Sequence, residues 1–228
     1  MKLQLTLDHG KDFEMLRIVD AMADVVDIIE IGFPQVVTFG LTMVKEIRER
    51  HPNICLCVDA KVFHGGTGVT TRCFEAGANI VTVLSGAPDP VIAKMVQKAK
   101  SYDGKIMCDM AATPSAVGKR TAEVDNLGVD YVMVPSGYRP EYDYDLDTAR
   151  RRWFRPKVRP LDLANVAKRN LRNAKLAVHT GINEENIRDV IALNPELILV
   201  GRGILEAKDD EERVAKAQRL ERYLPFEG

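Results

Sequence analysis

Eight short apolar runs punctuate the 228-residue chain: Leu3–Asp8, Val25–Gly32, Ile54–Lys61, Asn79–Ser85, Lys105–Met110, Tyr131–Gly137, Lys175–Gly181 and Leu197–Gly203. Runs this short, rich in Val and Ile and bounded by turn residues, read as buried strands. Between them lie helical patterns, among them Thr38–Glu49, Pro90–Lys100 and Glu184–Leu193. Thr113 and Asn183 stand where N-caps belong, with Pro114 directly after the former. Strands that alternate with helices make parallel sheets covered on both faces. Start-to-start spacing is about 22 to 29 residues, with one wide gap between the sixth and seventh runs. The pattern predicts a compact α/β protein, a (β/α)8 TIM barrel forming one domain over residues 1–228, with a doubly wound open sheet as the alternative.

Strand parity supports the barrel. In the first run Gln4, Thr6 and Asp8 share one face, and Leu3, Leu5 and Leu7 the other. In the third, Cys55, Cys57, Asp59 and Lys61 oppose Leu56, Val58 and Ala60. A barrel turns the leucine-rich faces toward the helices and the polar faces toward the axis. Charges near the carboxyl ends of its strands then stand where such barrels build their active sites.

Composition narrows the class of protein. An apolar content of 46% with 29% charged residues is ordinary for a globular chain. A formal net charge of -1 gives no bulk attraction to nucleic acid or to an anionic membrane, and neither is expected as a partner. No run approaches the ~18 apolar residues of a membrane span. The start, MKLQLTLD, reaches a carboxylate before a signal-peptide core could form. The four cysteines form no CxxC pair, and Cys55 and Cys57 alternate with Leu56 and Val58 as small buried hydrophobes would. A reducing, cytoplasmic setting is expected.

Asp8, Glu30 and Asp59 each end a strand, and Asp109 is a fourth candidate. Converging carboxylates repel, so cations must join them. Lys61 supplies one; a hard divalent ion such as Mg2+, which takes few protein ligands, would supply more. The alternative is a buried ion-pair network. An anion about 4 Å from Lys61 at an effective dielectric near 20 favours the ammonium by roughly 4 kcal/mol. That is on the order of three pKa units against a Schiff-base role, which needs a neutral amine. Lys61 therefore reads as a fixed cation. Gly181 and Gly201 follow strands seven and eight, the recurrent phosphate pocket of this fold, and Arg202 adds a charged donor.

MKLQLTLD, VVDIIEIG, the Asp59-x-Lys61 pair, EAGANIVTVLSGAPD and VGRGI together resemble the orotidine-monophosphate-decarboxylase suprafamily. Within it they look most like the hexulose-6-phosphate synthases, with the 3-keto-L-gulonate-6-phosphate decarboxylases second. The resemblance covers nearly the whole chain except about residues 138–160. It implies a ribulose-phosphate-binding barrel, a homodimer, a small phosphorylated sugar as substrate and a Mg2+-stabilised enediolate. By position it makes Glu30 and Asp59 metal ligands, Lys61 the active-site lysine and Asp8 the strand-one aspartate. Gly181, Gly201 and Arg202 fall on phosphate-binding positions. The implied reaction is a carbon–carbon lyase reaction: aldol addition of formaldehyde to ribulose 5-phosphate, or decarboxylation of a keto acid sugar phosphate.

The chain departs from the family pattern in three places. The last position of DxKxxD is His64; Pro135 stands where a strand-six histidine is usual; and His179 precedes Thr180-Gly181. One reading gives His64 or His179 the acid–base work, and His64 is taken as the catalytic candidate with Asp8, Asp59 and Lys61. The other makes His64 a helix cap and His179 a satisfied core group. Residues 138–160 combine four acids with Arg150, Arg151, Arg152, Arg155, Lys157 and Arg159 around Trp153, and are expected to form an active-site lid or subunit contact. A phosphopentose epimerase and a non-catalytic phosphate-ester-binding protein are the remaining functional alternatives.

Overall fold

The computed structural model describes residues 1–10, 12–137 and 159–225. Its strands are β1 (Lys2–Leu7), β2 (Ile28–Ile31), β3 (Cys55–Val62), β4 (Ile80–Leu84), β5 (Lys105–Asp109), β6 (Tyr131–Pro135), β7 (Lys175–His179) and β8 (Leu197–Val200). They pair in chain order and β8 returns to β1, closing a parallel (β/α)8 barrel. Apart from Lys2 and Val62, the strand residues lie within the apolar runs that predict them. The lid or contact reading of 138–160 falls, apart from Arg159 and Pro160, outside the described residues.

Two apolar clusters divide the interior by strand parity. Leu3, Leu5, Leu7, Leu56 and Val58 pack outward against the helices, as the alternation requires. Ile28, Cys57, Ile80, Met107, Tyr131, Met133, Ala177, Leu197 and Leu199 fill the axis. Two residues further along five of these strands, the axial side chain becomes polar. Ile28 gives way to Glu30, Cys57 to Asp59, Ile80 to Thr82, Met107 to Asp109 and Ala177 to His179. An apolar plug thus closes the barrel from below, and a polar layer crowns it at the carboxyl ends. All four cysteines are free, and Cys57, Cys73 and Cys108 are buried. No helix among the described residues is long and apolar enough to cross a membrane.

Helix ends differ from the sequence pattern in three places. The Thr38–Glu49 stretch is split into α2 (Phe33–Phe39) and α3 (Thr42–Arg50), because Gly40 takes a left-handed φ of 62° that ends the first helix. Thr113 precedes a 3-10 turn, and its hydroxyl donates to Ser85 Oγ (2.8 Å) rather than capping. Asn183 accepts from Glu185 N in a local turn, and the helix itself begins only at Ile187. Asn183 finds a local partner and Thr113 a tertiary one, so neither side chain caps a helix.

The far side of the long connection is braced by one carboxylate. Buried Asp125, on α6 (Val117–Asn126), accepts from Asn173 N (3.0 Å) and Ala174 N (2.6 Å), fixing the entry to β7. Replacing it with Ala strands those donors. Asp125→Ala should lower the unfolding free energy by about 2–3 kcal/mol, read as a shift in the urea midpoint at unchanged slope.

Candidate active site

The polar crown is organised by Lys61. Its ammonium lies 2.7 Å from Asp109 Oδ2 and 3.1 Å from Asp59 Oδ2, with both acids almost fully buried. The lysine reaches them from a distorted stretch of backbone. β3 slips register against β4 between Val58 and Val62, and Lys61 has a left-handed φ of 41°. Such an irregularity re-aims a side chain at the end of a strand. It is held by Thr82, whose Oγ1 accepts from Lys61 N (2.9 Å) while its hydroxyl donates to Asp59 Oδ1 (2.7 Å). One threonine thus orients both members of the Asp59–Lys61 pair.

Burial would lower the Lys61 pKa, but the adjoining Asp109 and Asp59 carboxylates override it and push it well above its ordinary value. The ammonium is fixed, as expected. Burial raises Asp109 as well, yet Lys61 and the Ala111 amide, 2.9 Å from Oδ1, hold it below the usual carboxylate range. Sequence alone makes Asp109 only a fourth candidate; in the structure it is the nearest partner of the lysine.

A second acidic group adjoins. Glu30 Oε2 accepts from Gln4 Nε2 (2.6 Å) and Thr6 Oγ1 (2.8 Å) inside the barrel. Burial, then the charges of Asp59 and Asp8, push its pKa up to about 8. Asp8 is likewise raised, first by burial and then by Asp59, with His9, Lys61 and Arg202 opposing. Asp8 fits against β2 because residue 32 is glycine: a Cβ there would lie 2.0 Å from Asp8 Oδ1. Sequence reasoning misses both Thr82 and Gly32. Axial parity along β4 could find the first, whereas the second depends on contact between loops.

The phosphate candidates sit beside this cluster. Gly201 lies at the end of β8, where a Cβ would come 3.4 Å from Thr6 O and 3.8 Å from Asp8 Oδ2. Arg202 is close enough for its charge to act on Asp8. Gly181 follows β7 with a φ of 70°, and its carbonyl accepts from Asn186 Nδ2 (2.9 Å).

The two histidines part company. His64 is exposed on the turn after β3, its ring edge-on to Phe63 at 4.8 Å. It does not cap α4 (Gly66–Glu75), whose N-cap is Gly65 with no side-chain bond. His179 ends β7 on the axial side and pairs in register with Pro135. Its Nδ1 is 2.7 Å from Thr180 Oγ1, and its buried Nε2 has no partner among the described residues. It is therefore not a satisfied core group.

Metal fit follows from the acids. Among the described residues no three His, Cys, Asp or Glu side chains close around one point. Burial and the neighbouring charges of Asp59 and Asp8 disfavour the ionised Glu30 carboxylate. A hard cation would relieve that repulsion, and Mg2+ needs only one or two such ligands. The residues fit. A surface cleft of about 740 Å3, lined by Lys45, Arg72, Glu75 and Lys98 on the helical exterior, contains none of these groups.

A model of the orotidine 5′-phosphate decarboxylase/HUMPS family matches residues 1–217. The chain belongs to that family. Among the relatives of this HUMPS-family chain, 3-hexulose-6-phosphate synthase of Bacillus subtilis (strain 168) is 35% identical over 220 residues, 96% of this chain and 98% of the relative. The solved 3-hexulose-6-phosphate synthase from Salmonella typhimurium superposes with a TM-score of 0.82 at 29% identity, covering 98% and 100% of the two chains. A 3-keto-L-gulonate-6-phosphate decarboxylase from Vibrio cholerae shares the fold, with a TM-score of 0.74 at 22% identity over 98% and 99%.

The raised Glu30 pKa has a sign that can be tested. A folded-state value of about 8 against 4.5 means that the native state binds the extra proton. The associated stability is present below pH 4.5 and is lost as pH rises through 8. In metal-free protein, Glu30→Gln should therefore be more stable than the parent at pH 9, by roughly 3–5 kcal/mol. The difference should shrink toward pH 5, measured by urea unfolding in chelator.

Proposed function

We propose that this protein is a carbon–carbon lyase acting on a phosphorylated ketose, and that its reaction is the aldol addition of formaldehyde to ribulose 5-phosphate. The observation that carries the reading is the ammonium of Lys61 fixed between Asp59 and Asp109 beside the buried Glu30 and Asp8. A permanent cation in a low-dielectric mouth stabilises the oxyanion that forms when a carbon next to a carbonyl loses its proton. Gly181, Gly201 and Arg202 would hold the phosphate at the neighbouring strand ends. Several relatives at 30–35% identity are named as 3-hexulose-6-phosphate synthases, which supports the aldol direction.

Glu30 and Asp59 would hold a Mg2+ ion, which supplies further neutralisation of enediolate oxygens when bound. Lys61 keeps its proton throughout and faces the developing charge; Asp8 positions substrate hydroxyls. A second copy of the chain is the proposed partner, in a cytoplasmic setting. Phe33 and Val37 on α2, Phe63 after β3 and Val69 on α4 remain exposed, apolar area that a dimer would cover. Decarboxylation of a keto acid sugar phosphate is the second reading, because solved decarboxylases share the fold and the same enediolate serves both.

The test is direct. Protein with Mg2+, ribulose 5-phosphate and formaldehyde should consume formaldehyde and form a hexulose phosphate. In Lys61→Met protein shown to be folded by circular dichroism, kcat/KM should fall about 100- to 1000-fold, the scale of losing an oxyanion-stabilising group. Chelation should abolish turnover and Mg2+ restore it. Release of CO2 from 3-keto-L-gulonate 6-phosphate, with no formaldehyde uptake, would replace this reading by the second.

A further inference from the structure

We infer that His179 is the proton-transfer residue of this site, with Nε2 as the reacting atom. The inference deepens the enediolate reading above and rests on it. Its ground is the geometry of the strand ends.

Formation of an enediolate needs a group that accepts a proton from carbon and can give it back. Lys61 is unsuited because its two carboxylate partners keep it protonated. Asp109 is engaged by Lys61 Nζ and by the Ala111 amide. Asp59 is shared between Lys61 and Thr82, and Glu30 between Gln4 and Thr6. His64 is exposed on the turn after β3, with its ring against Phe63.

His179 meets every geometric requirement. It follows Ala177 on the axial face of β7, so its ring enters the crown above the apolar plug. It is near enough to Asp109, Lys61 and Asp59 for all three charges to act on it. Burial holds the ring below its ordinary pKa, which favours the neutral, basic form.

The backbone around it is built to aim the ring. Thr180, a β-branched residue, adopts a φ of 72°, a conformation that costs free energy and survives only where its surroundings enforce it. Here the enforcing contacts are visible. Ser136 N donates to His179 O (2.7 Å), and Ser136 Oγ donates to Thr180 O. The turn brings Thr180 Oγ1 to 2.7 Å from His179 Nδ1, occupying that nitrogen and leaving Nε2 buried and without a partner among the described residues. An orphaned buried ring nitrogen costs stability, and a ligand in the mouth would supply its partner.

The step balances. With Nδ1–H donated to Thr180, Nε2 carries the lone pair and takes the proton from C1 of the ketose phosphate. The C1–H electron pair becomes the C1–C2 double bond, and charge moves to the C2 oxygen. After C1 attacks formaldehyde, the imidazolium returns its proton to the new alkoxide.

The experiment separates this step from the aldol reaction. Incubated with Mg2+ and ribulose 5-phosphate in D2O without formaldehyde, the wild-type protein should exchange the C1 hydrogen, followed by proton NMR. His179→Gln should slow exchange at least about 100-fold. Its dissociation constant for ribulose 5-phosphate should stay within about threefold of wild type by calorimetry. In His179→Ala, added imidazole should restore exchange in proportion to its concentration. Wild-type exchange in a folded His179→Gln variant overturns the inference. So does loss of exchange together with ligand binding and without imidazole rescue, which makes His179 structural. Failure of the wild-type protein to exchange the hydrogen of bound ribulose 5-phosphate overturns it as well. If the wild-type protein exchanges hydrogen but forms no hexulose phosphate with formaldehyde, the aldol reading falls while the role of His179 stands.

Discussion

A single ammonium group holds the active end of this barrel together. Lys61 is surrounded by acids from its own strand and from β5, both buried, at 3.1 and 2.7 Å. At an effective dielectric near 20, the contacts contribute roughly 5–6 kcal/mol of attraction each, against a desolvation cost of several kcal/mol per ion. The net stabilisation is small, but removing either sign would leave the other buried and uncompensated, which is far more costly. The backbone bears part of that arrangement. Lys61 sits at a left-handed φ in the stretch where β3 slips against β4, and Thr82 pins its amide. A residue in that conformation costs of order 1–3 kcal/mol, so the ion cluster and the bulge require each other.

The same cluster divides the mouth into two electrostatic halves. Around Lys61 and Asp109, opposite charges are matched at short range. Around Glu30 and Asp8 they are not, and burial and the charge of Asp59 raise both acids. Arg202 partly offsets Asp8. The unmatched half is where an added cation is favoured, and the matched half is where a fixed cation faces developing negative charge. An apolar plug of Ile28, Cys57, Ile80 and Met107 lies directly below and closes the axis on that side.

Much of this arrangement is legible in the amino-acid sequence. Alternation along β1 and β3 correctly predicts which side chains face the helices, because period-two geometry leaves no freedom once one face is buried. The same rule applied to IVTVL and KIMCD promotes Thr82 and Asp109, which lie one step above Ile80 and Met107. The helix across Thr38–Glu49 is misjudged because helical spacing continues through Gly40, while its left-handed φ is a local choice invisible to periodicity. No sequence pattern singles out Gly32. Its role is the 2.0 Å approach of Asp8, a contact between the ends of two strands that only closure of the barrel creates. His64 reads as a site residue from its spacing after Lys61, and in the structure it is exposed on the turn after β3.

Closure also explains how a proton carrier can change strands without changing the fold. Residues paired in register on adjacent parallel strands project to the same side at the same height. Pro135 and His179 are such a pair. A side chain at either position reaches the same volume of the mouth, so the resemblance-based expectation of a histidine on strand six and the observed histidine on strand seven are nearly equivalent in space. Electrostatic surroundings are what must be preserved, and they are: Asp109, Lys61 and Asp59 all act on the ring of His179. The proline leaves no competing side-chain donor at its own position, and the chain beyond it turns Ser136 back to brace the His179–Thr180 backbone. The segment just past Pro135 thus supplies, through Ser136, backbone support for the strand that carries His179.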